Sequence, residues 1–297
     1  MPFQTIAIIG TGDMGSAVGR VLSEHGYRVI TSLDGRSGHS SRLAGGAGIE
    51  DAGDLSNVVG QADVLLSIMP PAAAEGFAHS AAAAMAGQTP LLYVECNAIS
   101  PARSMRIGAA VTEAGGRYVD GGIIGAAPGI SDQPPRFYVS GIETDALLEL
   151  NGKGIEVVSM GGEIGRASAI KMTFAALTKG TNALRTAVLL AGEKLAVGRE
   201  LREEFRYRLP EEYERMERRV PYLAADAERW HGEMREIEDT FRAAGISGGF
   251  HEAAAWVFEL LSKSELATEK RADMVPGRRL EEAVEVFMRA LLDDKLD

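Results

Sequence analysis

The chain has 297 residues, which predicts about two domains that can bury a core without support from disulfides or metals. Its formal net charge of −11 and pI near 5.1 argue against nucleic acid or an anionic membrane as the main partner. The single cysteine, Cys96, excludes a disulfide framework and a cysteine-rich metal site. The scattered histidines show no ligand spacing, so we expect no metal.

The N-terminal sequence MPFQTIAIIG lacks the basic region and the cleavage site of a secretory signal. No apolar run reaches the roughly 18 residues needed to span a bilayer. A small-molecule substrate and a cytoplasmic location are therefore the expectations.

Residues 5–159 alternate short apolar segments with segments of helical character. The predicted strands are Thr5–Ile9, Arg28–Ser32, Val64–Ile68, Leu91–Glu95, Tyr118–Asp120, Phe137–Ser140 and Glu156–Ser159. Helices are predicted between several of them, for example at Gly15–His25 and Ala72–Met85. Apolar runs such as IAIIG and ADVLLSIMP are typical of strands buried on both faces. Strand–helix–strand repetition predicts an α/β fold with a parallel, doubly wound Rossmann sheet.

The sequence becomes helical after residue 162. One long helix is predicted across residues 162–198, from apolar side chains near helical spacing. The segment Arg199–Arg219 carries dense charge of both signs, which is typical of a solvated helical surface. Further helices are predicted at Tyr222–Ala244, Gly249–Ser262 and Arg278–Asp293. The expected domains are a Rossmann domain over residues 1–162 and an all-helical domain over residues 163–297, joined by the long helix.

A glycine-rich segment directly follows the first predicted strand and opens a helix. Its glycines form the dinucleotide-binding pattern G-x-G-x-x-G, in which they allow a tight turn, close approach of the pyrophosphate and close helix–strand packing. Free amides at the start of the helix bind phosphate in such sites. The predicted cofactor-binding residues here are Gly10, Thr11, Gly12, Asp13, Met14 and Gly15. The alternative is a glycine-rich turn of the same fold that binds another ligand.

The segment LDGRSGHSSR, after the second predicted strand, bears on the choice of nicotinamide. Asp34 lies near the spacing at which an acidic residue binds the ribose of NAD. Arg36 and Ser37 suit the 2′-phosphate of NADP, because a guanidinium binds phosphate through two hydrogen bonds. We therefore expect NADP(H), bound in part by Arg36 and Ser37, with NAD(H) as the alternative.

Motifs along most of the chain extend this pattern: ADVLLSIMPP, VECNAISP, VDGGIIGAAP, GRASAIK and GEMREIEDTFRAAGI. With them the chain resembles the β-hydroxyacid dehydrogenases, which include 3-hydroxyisobutyrate dehydrogenase, tartronate semialdehyde reductase and 6-phosphogluconate dehydrogenase. NAISP, DGGIIG and ALTKGTNAL are similar to an uncharacterised subgroup of NAD(P)-dependent dehydrogenases. The resemblance implies a helical C-terminal domain that contributes to substrate binding and mediates a homodimer or a larger homo-oligomer.

The resemblance also implies a catalytic lysine in the long helix, within the pattern G-x-G-x-x-x-K-x-x-x-N. Lys171 matches the lysine, whereas Ala167 and Ala175 replace the second glycine and the asparagine. Hydride reduction of a carbonyl creates an alkoxide, which a nearby ammonium stabilises and protonates. In the oxidative direction the amine must be neutral, which requires a pKa below its ordinary value of about 10.4. The alternative is a lysine that extends from an amphipathic helix to solvent.

A substrate loop with the pattern D-x-P-V-S-G-G is implied in the same way. Its counterpart supplies the expected substrate residues Asp120, Gly121, Gly122, Ile123, Ile124 and Gly125. Ile124 replaces the serine, and together with Ala175 this removes two polar contacts to a substrate carboxylate. Backbone amides at Gly125 and Ala126 can still bind an anion. Both a carboxylate and a non-carboxylate substrate therefore stay open.

Other site residues follow from the resemblance. Met69 and Pro70 correspond to a loop that passes over the cofactor, and Asn97 is expected to hydrogen-bond the cofactor ribose or the substrate. Lys179 is expected from helix geometry alone: it lies about two turns after Lys171 on roughly the same face of the helix, where it would reach a substrate anion. Glu233 corresponds to an aspartate that lines the substrate pocket.

These observations predict an NADP(H)-preferring oxidoreductase that transfers hydride between nicotinamide and a small hydroxy acid or carbonyl compound. An imine reductase on the same architecture is the second hypothesis, because an imine site needs no carboxylate clamp. The retained Lys171 argues against it, since an ammonium beside an iminium is unfavourable. The third hypothesis is a protein that senses NADP(H) without turnover.

Overall fold

The computed structural model describes residues 2–269 and 274–293, and within them one sheet of eight strands. The strand order is β3-β2-β1-β4-β5-β6-β7-β8. The strands are β1 (Thr5–Ile9), β2 (Arg28–Thr31), β3 (Glu50–Asp51), β4 (Val64–Ser67), β5 (Leu92–Glu95), β6 (Arg117–Ile124), β7 (Arg136–Ser140) and β8 (Glu156–Ser159). The Rossmann fold predicted from the sequence is thereby confirmed.

Three features of the sheet differ from the sequence-based expectation. β6 pairs with β7 antiparallel, because residues 125–135 are too few for the crossover of about a dozen or more residues that a parallel pair needs. β6 is longer than the predicted Tyr118–Asp120, since its second half contains two glycines that carry no strand signal. β3 was not predicted, because its two residues are exposed and acidic.

Helices cover both faces of the sheet. They are α1 (Asp13–Glu24), α2 (Gly38–Gly46), α3 (Leu55–Gln61), α4 (Pro71–Met85), α5 (Pro101–Glu113) and α6 (Thr144–Leu147). One apolar core contains Ile6, Ile8 and Leu22, and the other contains Leu65, Tyr93 and Ile107. Consecutive strand residues such as Ile6 and Ala7 enter opposite cores, which explains the unbroken apolar runs in the sequence.

The C-terminal part of the chain is helical. Its helices are α7 (Arg166–Lys194), α8 (Gly198–Arg208), α9 (Pro210–Arg219), α10 (Ala224–Ala243), α11 (Gly249–Ser262) and α12 (Leu280–Asp293). The charged segment forms two helices, because Pro210 disfavours helical backbone at the residue before it, and Leu209 adopts φ −133°. α10 packs against α11, with Trp230 edge-on to Phe258 at a ring-centroid distance of 5.2 Å. None of the described helices is long and apolar enough to cross a membrane.

The chain forms two compact units, Met1–Met172 and Thr173–Asp297. The division falls inside α7, ten residues beyond the boundary expected at residue 162, because the first turns of α7 pack on β6. We refer to the two parts as the Rossmann unit and the helical unit.

Candidate cofactor and active site

The three glycines after β1 each have a different steric environment. Gly10 has φ +103°, and a Cβ there would lie 2.1 Å from the backbone oxygen of Ile68. A Cβ on Gly15 would lie 2.1 Å from the backbone oxygen of Gly10, so strand and helix approach closely at this point. A Cβ on Gly12 would meet no atom within 4 Å. Gly12 therefore borders open space, as the residue that approaches a pyrophosphate must.

The start of α1 offers donors to this space. Gly12 is the residue before the helix and has no side chain to bind the free amides of the first turn. Asp13 is exposed and Met14 is half-buried in that turn. An anion at this position would receive hydrogen bonds from the amides and the positive end of the helix dipole. The donor set fits the pyrophosphate of a dinucleotide.

The glycine segment is joined to α2 by a hydrogen bond. Thr11 is buried, and its Oγ1 donates to the backbone oxygen of Ser40 at 3.2 Å. Ser37 is the N-cap of α2, and its Oγ accepts from the amide of Ser40 at 3.2 Å. Arg36 is exposed in the turn just before. The structure thus brings Thr11, Arg36 and Ser37 to one region beside the glycine segment.

Asn97 connects the ends of β4 and β5. It is 2% exposed, its Oδ1 accepts from the amide of Met69 at 2.5 Å, and its Nδ2 donates to Ser67 Oγ at 2.9 Å. Both ends of the side-chain amide are therefore engaged within the protein. Met69 is half-buried near Gly10, and Pro70 is exposed at the start of α4. Asn97 fixes the loop that was expected to pass over the cofactor.

A row of polar side chains crosses four neighbouring strands. Ser67 pairs in register with Glu95, Glu95 with Asp120, and Asp120 with Ser140. All four are fully buried. Only Asp120 among these four residues was predicted from the sequence as a site residue. The available signal was a polar residue at the end of an apolar strand, as in VLLS, LYVE and FYVS.

Burial raises the pKa of Glu95 to about 7, and the nearby Asp120 adds to this. Hydrogen bonds from the Asn97 amide at 3.0 Å and from the Tyr93 hydroxyl at 3.2 Å oppose the effect of burial. The buried carboxyl group of Glu95 therefore changes its protonation state near neutral pH.

Asp120 lies at the centre of the row and joins several elements. Its carboxylate accepts hydrogen bonds from Ser104 Oγ at 2.7 Å, Ser140 Oγ at 2.8 Å, the Gly165 amide at 3.0 Å and the Ser168 amide at 3.0 Å, and also from Ser168 Oγ. Ser140 Oγ in turn accepts from the amide of Ala167 at 3.1 Å. The carboxylate expected to contact substrate is instead enclosed between β6, β7, α5 and the start of α7.

Lys171 is the last residue but one of the Rossmann unit and is half-buried. Its Nζ donates to the backbone oxygen of Ile123 at 2.6 Å. A Cβ on Gly122 would lie 2.9 Å from Lys171 Cβ and 2.6 Å from the backbone oxygen of Ala167. Because Gly122 has no side chain, Ala167 and Lys171 of α7 can pack directly on β6.

The remaining residues of the expected substrate loop differ in exposure. Gly121, Gly122 and Ile123 are buried, Ile124 is half-buried, and Gly125 is exposed. Gly125 has φ +123°, which requires glycine, and its position after β6 turns the chain away from the sheet. Only the end of this segment presents surface to a small molecule within the Rossmann unit.

In the helical unit the structure brings Lys179 and Glu233 together. They form an ion pair in which the side chains are 13% and 3% exposed. Lys179 Nζ lies 5.6 Å from the centroid of the Trp230 ring, and Arg229 also contacts Glu233, at 3.3 Å. Among the residues that the structure describes, no group of three or more histidine, cysteine or acidic side chains could hold a metal ion.

Residues 5–151 match the NAD binding domain of 6-phosphogluconate dehydrogenase, and residues 193–261 match a domain of unknown function, DUF1932. The N-terminal part of the chain is therefore a dinucleotide-binding domain of the kind found in 6-phosphogluconate dehydrogenase. It is 26% identical over 198 residues to an uncharacterised protein of Methanothermus fervidus, covering 67% of this chain and 74% of that protein.

Several solved structures share the fold of this chain. A conserved protein of unknown function with structural similarity to 3-hydroxyacid dehydrogenases has a TM-score of 0.64 and 27% identity, over 86% of this chain and 96% of its own. Mycobacterium tuberculosis 3-hydroxyisobutyrate dehydrogenase has a TM-score of 0.63 and 17% identity, over 96% and 99%. A reductive aminase from Aspergillus terreus in complex with NADPH has a TM-score of 0.54 and 17% identity, over 87% and 92%. The matched domain supports an NAD(P)-dependent oxidoreductase, and the solved structures support the fold.

Proposed function

We propose that the protein is an NADP(H)-preferring oxidoreductase that interconverts a small carbonyl compound and its alcohol. The observation that carries the proposal is Lys171, whose ammonium lies beside the end of β6 in a unit whose glycine segment fits a dinucleotide. The bound nicotinamide supplies or accepts the hydride. The lysine supplies the proton that such a reaction also requires.

The preference for NADP(H) rests on α2. Arg36 is exposed directly before the N-cap Ser37, and Thr11 ties the first turn of α2 to the glycine segment. A 2′-phosphate at this end of α2 would meet a guanidinium, a hydroxyl and helix amides. Asp34 is exposed in the same turn and would bind the ribose hydroxyls if NAD(H) were preferred.

Lys171 would transfer a proton while its Nζ is held by the backbone oxygen of Ile123. The backbone oxygen that it contacts is an acceptor, which suits a protonated amine. In reduction the ammonium would donate its proton to the oxygen of the developing alkoxide, and in oxidation the amine would accept it. The polar contact to Ile123 holds the amine at the end of β6, where Ile124 and Gly125 present surface.

The substrate end of this surface is apolar. Ile124 offers no hydroxyl, so an anionic substrate group would depend on backbone amides near Gly125. A carbonyl compound with a small apolar body fits this surface best. An imine is the second candidate, because Ile124 offers no hydroxyl to bind the carboxylate of a hydroxy acid, and an imine needs none.

The experiment is an NADPH-driven screen of small aldehydes, ketones, keto acids and cyclic imines. The proposal expects turnover of a carbonyl compound that Lys171→Met lowers by about 10²-fold or more. Turnover restricted to imines would favour the second candidate. Binding of NADPH without any turnover would favour a sensing protein.

Arg36→Ala tests the cofactor preference separately. We expect it to weaken NADPH binding by about tenfold and to leave NADH binding unchanged. Arg218→Ala removes the same charge from an exposed position of the helical unit and serves as the control.

A homodimer is the proposed assembly, and the surface of the helical unit supports it. Leu177, Leu184 and Phe250 are 73%, 64% and 86% exposed. They border an apolar groove of about 760 Å³ between α7 and α11. The same patch offers protruding side chains and a groove to receive them, as a two-fold symmetric interface requires. Leu177→Glu with Leu184→Glu should convert a dimer to monomers in sedimentation velocity, and a wild-type monomer would contradict the proposal.

A further inference from the structure

The free amides at the start of α7 are capped by side chains from β6 and β7. Gly165, with φ +100°, precedes the helix and has no side chain with which to cap it. Asp120 takes over this function from β6, because its carboxylate accepts from the amides of Gly165 and Ser168. Ser168 is the third residue of the helix, whose amide an N-cap side chain ordinarily binds. Ser140 of β7 accepts from the intervening amide of Ala167.

Gly122 completes this arrangement on the same face of β6 as Asp120, since alternate residues of a strand share a face. A side chain at Gly122 would overlap the backbone of Ala167, which cannot rotate away, and the side chain of Lys171. The resemblance expects a proline at this position of the loop. A glycine here lets the backbone of α7 approach the strand directly.

We propose that Asp120, Gly122 and Ser140 form an α7 cradle that positions Lys171. Asp120 and Ser140 fix the first turn of α7, and Gly122 fixes the separation between α7 and β6. Together they determine where the amine of Lys171 lies relative to the end of β6. These are positioning residues, because each acts through α7 and none of them is exposed. The inference rests on the proposed function of Lys171.

The test measures the amine of Lys171 directly, in the full chain with NADPH bound. Trace labelling with acetic anhydride at fixed pH, followed by peptide mass spectrometry, gives the acylation rate of Lys171 relative to Lys153 in the same sample. Gly122→Ala should raise this relative rate by up to about tenfold, because α7 moves away from β6 and the amine of Lys171 loses its hydrogen bond to the backbone oxygen of Ile123.

Gly121→Ala is the matched control. Its Cβ would lie 2.7 Å from a backbone oxygen, that of Glu95, and therefore overlaps the protein as severely as a Cβ on Gly122. It faces away from α7, so the relative labelling of Lys171 should stay as in the wild type. Equal labelling of Lys171 in both variants would overturn the proposal.

Ser140→Ala decides the question if Gly122→Ala does not fold. It removes one hydrogen bond to α7 and one to Asp120 without adding an atom. Altered labelling of Lys171 supports the cradle, and unchanged labelling overturns it. Labelling requires no substrate, so this outcome is independent of turnover. A Lys171→Met variant with full turnover would overturn the proposed function and leave the cradle intact.

Discussion

Glu95→Gln should make the Rossmann unit more stable at neutral pH. Burial raises the pKa of Glu95 from its ordinary value of 4.5 to about 7. Between these two values the unfolded chain releases the proton while the folded chain keeps it, so the free energy of unfolding falls as pH rises. Each unit of pKa corresponds to about 1.4 kcal/mol, so the loss amounts to about 3 kcal/mol above pH 7.

Glutamine retains an oxygen that can accept from the Asn97 amide and presents an amide to the Tyr93 hydroxyl, but it does not ionise. The stability advantage of Glu95→Gln should therefore grow from about pH 5 to about pH 7 and then stay constant. Hydrogen exchange of peptides from β4, β5 and β6 under native conditions gives the free energy of opening for this unit alone. Glu113→Gln, on the exposed surface of α5, is the control for the change in charge.

An advantage that is independent of pH, or that shrinks as pH rises, would refute this reasoning. Such a result would mean that Glu95 has similar proton affinities in the folded and unfolded chains. The polar row across β4 to β7 would then be solvated or paired more favourably than its burial indicates.

Four further predictions concern substitutions at single positions. Gly12→Ala should change the free energy of unfolding by no more than about 0.5 kcal/mol yet weaken NADPH binding, measured by nicotinamide fluorescence, because its Cβ enters only the open space beside α1. Gly15→Ala should destabilise by about 2 kcal/mol or more in urea unfolding, and equal stabilities of the two variants would contradict the steric argument. Glu233→Gln leaves the largely buried Lys179 without its carboxylate, and should lower the stability of the helical unit by about 3 kcal/mol; a loss below about 1 kcal/mol would show that this pair behaves as a surface ion pair. Lys171→Arg keeps the charge but should not restore the turnover lost in Lys171→Met, because a guanidinium does not release its proton; recovery of kcat would refute proton transfer.

The elements that the sequence predicted best are those with local signals. The strand–glycine–helix pattern located β1 and α1, because each depends only on neighbouring residues. Glu156–Ser159 and Gly249–Ser262 also form as predicted. The direction of β7 was harder to predict from the sequence, since its antiparallel pairing with β6 depends on the length of a loop without regular structure.

The row of buried polar side chains across β4 to β7 could not be predicted from the sequence, because its contacts join residues that are far apart in the chain. Asp120 contacts Ser168 across 48 residues, and Ser67 contacts Asn97 across 30. Such pairs depend on the register of neighbouring strands, which no local pattern specifies. Asp120 was expected to contact the substrate. In the structure its carboxylate accepts hydrogen bonds from the amides of Gly165 and Ser168 at the start of α7.

The apolar pattern of α7 predicted a helix but not its buried face. Leu177 and Leu184 are exposed, whereas Ala175, Ala176 and Ala183 are buried. Small side chains allow the close approach that a tightly packed helix requires. Periodicity alone cannot separate this arrangement from one in which the large side chains are buried.

Parallel titration of the protein with NADPH and NADH, followed by nicotinamide fluorescence, tests the central claim most directly. The account predicts that NADPH binds at least about tenfold more tightly than NADH, a difference of about 1.4 kcal/mol. Tighter binding of NADH would contradict the assignment of Arg36 and Ser37 to a 2′-phosphate and favour Asp34. Binding of neither cofactor would contradict the account as a whole.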